Sequence, residues 1–224
     1  MVLADGSAPS RAALDRAWPG WDAGIGLVIA ADGGARHAGP LGLRIDRWVG
    51  DGDSIDAGDL AALAASGVVV ERVPSEKDAS DTELAVVAAL EAGAGSVTLL
   101  GGLGGVRLDH ALANVALLQD PALDDRWVRL YDEQPARLTV LAAPGNEACA
   151  REFEGRTGDI VTLLPLGSAV DGVETAGLRY PLAGETLALG RSRGLSNVRT
   201  EPVARVAIRS GRLLVIETPA NLPP

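Results

Sequence analysis

Hydrophobic and polar positions follow two different regimes along this chain. Over residues 1–134, short apolar runs bounded by Gly, Asp or Pro alternate with helical patterns. The runs Leu27-Val28-Ile29-Ala30, Trp48-Val49, Val68-Val69-Val70, Val97-Thr98-Leu99-Leu100 and Val128-Arg129-Leu130 predict buried strands. Between them, Ser80-Asp81-Thr82-Glu83 forms a capping box, with Ser at the N-cap and Glu three residues on, and predicts a helix reaching about Ala92. In Leu108 to Gln119 the apolar residues Ala111, Leu112, Val115 and Leu118 share one helical face. Strands alternating with helices imply an α/β domain whose mostly parallel, Rossmann-like sheet is covered on both sides.

From about Pro135 the helical period is lost. Short runs recur at Leu138–Leu141, Ile160–Leu164, Thr186–Leu189, Val203–Ile208 and Leu213–Ile216. Arg205 to Arg209 alternates with period two, and Ser210-Gly211 before the next apolar run reads as the tight turn of a hairpin. Residues 135–224 therefore read as a small all-β domain, sandwich- or barrel-like.

Composition narrows the class. The chain has 224 residues, 47% hydrophobic and 22% charged, within the range of globular proteins. No apolar run reaches the roughly 18–20 residues of a membrane helix, and Met1 to Gly6 lacks the basic-then-apolar order of a secretory signal. Cys149 is the single cysteine, which excludes an intramolecular disulfide and a cysteine zinc site. A cytoplasmic protein that associates with no membrane is the expectation. A net charge of −10 argues against a nucleic-acid surface, whereas small phosphorylated ligands remain accessible through metal ions and backbone amides. Of 20 basic residues, only Lys77 is a lysine.

The acidic residues gather where a parallel sheet binds ligands, at the C-terminal ends of its strands. Asp32 follows the first predicted strand in Asp32-Gly33-Gly34, and Asp51 and Asp53 follow the second in Gly50-Asp51-Gly52-Asp53-Ser54. Asp78 and Asp81 follow the third, and Asp109 comes after the turn Gly101-Gly102-Leu103-Gly104-Gly105. Carboxylates so close repel unless cations neutralise them, and hard oxygen ligands suit Mg²⁺. The i, i+2 spacing of Asp51 and Asp53 points both side chains the same way in extended backbone. Arg107 and Lys77 are candidates to offset phosphate charge. The glycine turn is neither a Walker A loop nor a dinucleotide fingerprint, no nucleophile elbow is present, and His37 and His110 alone make a poor metal cage.

Asp32-Gly33-Gly34, Gly50-Asp51-Gly52-Asp53-Ser54, Lys77-Asp78-Ala79-Ser80-Asp81 and the glycine turn with Arg107-Leu108-Asp109-His110 and Asn114, in that order, resemble the thiamine pyrophosphokinase family. The resemblance covers nearly the whole chain, because that family also pairs an α/β domain with a C-terminal β domain. It implies Mg²⁺-dependent transfer of the pyrophosphoryl group of ATP to the hydroxyl of thiamine, in a homodimer whose active site combines one subunit's α/β domain with the other's β domain. It further implies a catalytic set of Asp51, Asp53, Asp81 and Asp109, with Asp51, Asp53 and Asp81 as metal ligands. Asp32, Gly33, Ser54, Lys77, Asp78, Gly102, Gly105, Arg107, His110 and Asn114 would bind nucleotide and phosphate. Gly177-Leu178-Arg179-Tyr180 and Leu195-Ser196-Asn197 resemble thiamine-side segments, with Tyr180 stacking on the rings and Ser196 and Asn197 on polar edges. The chain departs from the family pattern at Ser80, where threonine is usual, at the additional residue Val106, and at Gly194, where serine is frequent. Three other readings stay open: a different acceptor such as a hydroxymethylpterin, a non-catalytic nucleotide- or metal-binding module, and a Mg²⁺-dependent phosphohydrolase.

Overall fold

Val2 and Leu3, fully buried, form a strand of two residues at the centre of a parallel sheet, an element too short to register in the hydrophobic pattern. In the computed structural model, which describes residues 1–220, two units are distinguished. One comprises Met1–Leu117 with Leu130–Gln134; the other comprises Leu118–Arg129 and the chain from Pro135 onward. The sequence reading placed residues 118–129 in the first domain.

The first unit runs β1 (Val2–Leu3), α1 (Arg11–Ala17), β2 (Ile29–Ala31), a 3₁₀ turn over Asp32–His37, α2 (Ala38–Leu41), β3 (Arg47–Gly50), α3 (Ala57–Ala65), β4 (Val69–Arg72), α4 (Asp81–Glu91), β5 (Ser96–Leu100) and α5 (Leu108–Leu117). Strand order is β4-β3-β2-β1-β5, with neighbouring strands parallel and Val2 opposite both Ile29 and Leu99. β6 (Trp127–Tyr131) follows β5 in the order, and its last two residues belong to this unit. The chain steps outward from β1 to β4 and then returns to the other side of β1. That reversal makes the β1/β5 junction a topological switch point, where a crevice opens beyond the strand ends. Ser80 caps α4 by accepting from the Glu83 amide at 3.1 Å, as the capping box predicts. Ala85, Ala88 and Ala89 on its buried face let α4 lie close to β1, β2 and β3. The buried face of α5 is rotated from the expected one: Ala111, Asn114 and Leu118 are buried, while Leu112 is 62% exposed. Ala111 and Leu118 of the expected face are buried and Val115 is half-buried, while Asn114 takes the inward place of Leu112 and donates to a backbone carbonyl.

The second unit contains β7 (Arg137–Ala143), β8 (Cys149–Glu154), β9 (Ile160–Ala176), β10 (Ala183–Leu187), β11 (Asn197–Val198), β12 (Val203–Ile208) and β13 (Ser210–Thr218), and these strands pair antiparallel. β9 organises it. Its first half pairs with β13 and β11, its second half with β12 and β10, and the register shifts near Gly167 and Gly172, both at positive φ. A strand that bends in this way passes from one layer to another. The expected hairpin around Ser210-Gly211 does not form: β12 pairs with β8 and β9, whereas β13 pairs with β7 and β9. Ser210 and Gly211 already belong to β13, and the Arg209 amide donates to the Asp171 carbonyl at the bend of β9. The two strands therefore diverge to opposite sides of the long strand.

Between the layers lie Leu141, Phe153, Val161, Leu163, Val170, Val206, Leu213 and Val215. Near this core sits an ionic group. Glu217, fully buried, accepts from Arg199 at 2.7 Å and from Arg137 at 2.8 Å, and Arg199 also donates to the Phe153 carbonyl at 2.6 Å. Burial pushes the Glu217 carboxyl up, against the pull of both guanidinium groups. Among the described residues, no helix is long and apolar enough to cross a membrane.

Candidate metal and nucleotide site

At the strand ends of the first unit lies a cavity of about 540 Å³. Each wall is a short segment leaving one strand: Asp5-Gly6 after β1, Asp32 after β2, Asp51 to Ser54 after β3, Ser75 to Ser80 after β4 with Asp81 and Thr82 opening α4, and Gly101 to Arg107 after β5. The sheet thus delivers carboxylates from separate strands to one place.

Asp32 is the most constrained of them. It is 4% exposed and holds a positive φ of 42°, rare outside glycine and a mark of strain at a working position. Its carbonyl accepts the buried Trp48 indole N–H at 3.0 Å, and its Oδ2 accepts the Ser54 amide at 3.1 Å. Gly33 and Gly34 follow because nothing larger fits: a Cβ on Gly33 would lie 2.8 Å from the Ser54 carbonyl, and one on Gly34 would collide with the Leu3 carbonyl. Oδ1 of Asp32 is buried without a partner. Burial raises the Asp32 carboxyl to about 6, helped by Asp53 and Asp81 and opposed by the Ser54 amide.

On the neighbouring strand, Gly52 at φ 84° turns the chain so that Asp51 Oδ1 accepts the Asp53 amide at 3.1 Å. Asp53 Oδ1 accepts the Ser54 hydroxyl at 2.8 Å. Lys77 Nζ stands 3.0 Å from Asp51 Oδ2 and 3.3 Å from Asp81 Oδ1. The Lys77 hydrogen bond is the chief reason that Asp51 is held below the usual carboxylate range. Burial raises Asp81 against the same lysine, and Lys77 itself is raised because its two carboxylates outweigh its own desolvation.

Ligand oxygens of Asp32, Asp51 and Asp53 come within 4.8 Å of one another. An all-carboxylate set with one orphaned buried oxygen fits a hard divalent cation such as Mg²⁺. Geometry therefore puts Asp32 in the trio for which the sequence reading named Asp81, which instead shares Lys77 with Asp51.

Most of the other expected residues line the same cavity: Ser54, Lys77, Asp78, Gly102, Gly105, Arg107, His110 and Asn114. Gly33 lies outside the lining, packed against Asp5. Asp109 is outside it too; it makes two hydrogen bonds with Arg107, at 2.7 and 2.9 Å, both side chains exposed, and Arg107 holds its carboxyl far below the usual range. Asn114 donates to the Gly102 carbonyl at 2.8 Å and so fixes the glycine turn. Val106, the additional residue, is fully exposed, so the insertion bulges into solvent. Asp5 escaped the sequence reading because its strand is so short, although Val2-Leu3-Ala4 before Asp5-Gly6 repeats the apolar-then-acidic signal of the other strands. It pairs with Arg36, and His37 contacts the Gly6 carbonyl at 2.9 Å.

In the second unit, Asn197 spends its amide on backbone. Oδ1 accepts from Tyr180 and Val198 at 3.0 and 2.9 Å, and Nδ2 donates to the Tyr180 carbonyl at 2.7 Å. Asn197 thus fixes Tyr180, whose side chain stays 58% exposed, rather than offering its own polar edge. Ser196 takes a left-handed φ of 54°, and its amide donates to Thr162. Gly194 is required here, since a Cβ would collide with the Leu163 carbonyl.

The Asp32 environment has a measurable consequence. The unfolded carboxyl loses its proton near 3.8 and the folded one near 6, so the folded state binds more protons in between. This group's contribution to stability is therefore greatest below pH 4 and is lost as pH rises to 6. Asp32→Asn should remove that loss, stabilising the chelated protein at pH 7 by up to about 3 kcal/mol. Urea unfolding midpoints at pH 4 and pH 7, with the variant falling less than wild type between them, check this.

Residues 23–128 match the family model for the thiamin pyrophosphokinase catalytic domain, and residues 150–213 match that for the thiamin pyrophosphokinase vitamin B1 binding domain. The thiamine pyrophosphokinase of Bacillus subtilis is 25% identical over 169 residues, 75% of this chain and 76% of its own. Crystal structures share the fold. That of the Bacillus subtilis enzyme matches with a TM-score of 0.81 at 24% identity, covering 98% of both chains. The yeast enzyme matches with a TM-score of 0.72 at 13% identity, over 96% of this chain and 84% of its own.

Proposed function

Because the chain belongs to the thiamine pyrophosphokinase family, we propose that its first-unit cavity binds ATP with Mg²⁺ and transfers the β,γ-pyrophosphoryl group to the hydroxyl of thiamine, leaving AMP. The observation that carries this reading is the convergence of Asp32, Asp51, Asp53 and Asp81 from three strand ends, beside a lone lysine and a glycine turn. Asp32, Asp51 and Asp53 would hold the metal, which when bound supplies charge neutralisation for the phosphates. Lys77 and Arg107 would pair with phosphate oxygens, and the Gly101–Gly105 amides would line their path. Such transfer asks mainly for positioning and charge stabilisation, which fixed carboxylates and backbone donors supply without covalent chemistry. The doubly wound strand order supports a Rossmann-like description of this unit as the catalytic domain. The second unit would bind thiamine, with Tyr180 held by Asn197 for stacking. A cytoplasmic homodimer completes the proposal.

Acceptor identity is the point most open to test. With ATP and Mg²⁺ fixed, AMP release should depend on thiamine and not on 6-hydroxymethylpterin. AMP formed with the pterin alone would move the assignment to another acceptor.

A further inference from the structure

Lys77 occupies an unusual position for a phosphate-binding lysine. Its ammonium lies between Asp51 and Asp81, with its side chain 16% exposed and those carboxylates 9% and 23% exposed. Asp32 and Asp53 have no ion-pair partner among the described residues, and Lys77 is the cation that bridges the cluster, while Arg107 in the lining pairs with Asp109 and Arg72 reaches only the Asp51 carbonyl. Asp32 is anchored at its carboxylate by the Ser54 amide and at its carbonyl by Trp48, and the Asp81 backbone stands in the capped first turn of α4. The lysine sits in the irregular segment between β4 and α4, on a flexible four-carbon stem. Its stem is the longest and most flexible in the cluster.

We propose that Lys77 is a built-in counter-ion, which neutralises the Asp51–Asp81 side of the cluster in the nucleotide-free protein and yields it only when metal and triphosphate arrive together. The inference rests on reading this cavity as a metal–nucleotide site. A divalent cation entering alone meets a fixed positive charge a few ångströms from its ligands, with nothing to draw that charge away. A triphosphate brings new partners for the ammonium, which can leave Asp51 for phosphate oxygens while the metal takes its place. The protein is thereby biased against binding free metal and toward binding metal with nucleotide.

The test is Mn²⁺ binding followed by electron paramagnetic resonance, with and without α,β-methylene-ATP, in wild type, Lys77→Met and Lys77→Arg. Lys77→Gln is a second neutral variant should Lys77→Met fail to fold. Without nucleotide, both neutral variants should bind Mn²⁺ about tenfold more tightly than wild type, and Lys77→Arg should track wild type. With the analogue bound, the order should reverse, because the neutral variants lose a phosphate partner. A lysine that only supported the fold would weaken both kinds of binding when removed. Neutral variants that bind Mn²⁺ no more tightly than wild type without nucleotide overturn the counter-ion role. Wild type that binds no Mn²⁺ even with the analogue overturns the metal–nucleotide reading itself, and the inference with it.

Discussion

Asp53→Asn should lower the rate of pyrophosphoryl transfer on the order of a thousandfold while leaving the fold intact. Asp53 is exposed at the cavity mouth, and its Oδ1 accepts only the neighbouring Ser54 hydroxyl, which an asparagine oxygen can also accept. The substitution therefore removes charge without removing shape. It takes away one of the three convergent carboxylates that could hold a metal, and the coordinating power of a carboxylate lies in its negative charge. It also relieves repulsion, since Asp53 is one of the groups raising Asp32. The melting temperature should stay level or rise slightly as activity collapses. Steady-state rates with ATP, Mg²⁺ and thiamine, beside thermal melts of the same samples, check both halves. A variant with near-normal turnover would remove Asp53 from the metal site.

The largest expected effect on stability lies in the second unit. Glu217→Ala should cost about 3–5 kcal/mol, because it leaves Arg199, 1% exposed, and Arg137 without their shared carboxylate. For a chain of this size that is a fall of roughly 10 °C or more in the melting temperature. The cost arises from stranded charge, not from lost packing alone. Replacing Arg137, Arg199 and Glu217 together with methionine should therefore be less damaging than Glu217→Ala, since the three charges leave together and the buried Asp159 nearby keeps its ion pair with Arg156. Denaturant unfolding of the two variants decides; a triple variant less stable than the single one would show that the network contributes more than mutual neutralisation.

How much of this was readable in the chain depends on how local each signal is. The Ser80 cap, the strands around Trp48 and Val97, and the Asp-Gly punctuation of their ends are encoded within a few residues, and the structure has them where the pattern puts them. β1 was invisible because two buried residues make no pattern; its place at the centre of the sheet is decided by pairing with β2 and β5, which are far away in sequence. With it went Asp5. The β12–β13 junction misled for a related reason: Ser210-Gly211 has the composition of a hairpin turn, but the length of β9 offers each strand a better partner than the other. In the site, residue types announced the acidic cluster. Which carboxylates meet does not follow from spacing. Asp32 joins Asp51 and Asp53 because Trp48 and the glycine pair fold the 3₁₀ turn over the sheet end, whereas Asp81 is drawn to Lys77. Asn197 likewise showed its polarity in the sequence, but only the geometry shows that it is spent on Tyr180.

The proposed reaction moves two phosphoryl units together. The most direct measurement is ³¹P NMR of the purified protein with ATP, Mg²⁺ and thiamine. AMP and thiamine diphosphate should grow in equal amounts, without ADP or thiamine monophosphate, and growth should stop when Mg²⁺ is chelated. ADP with thiamine monophosphate, or ATP consumed at the same rate without thiamine, would contradict it.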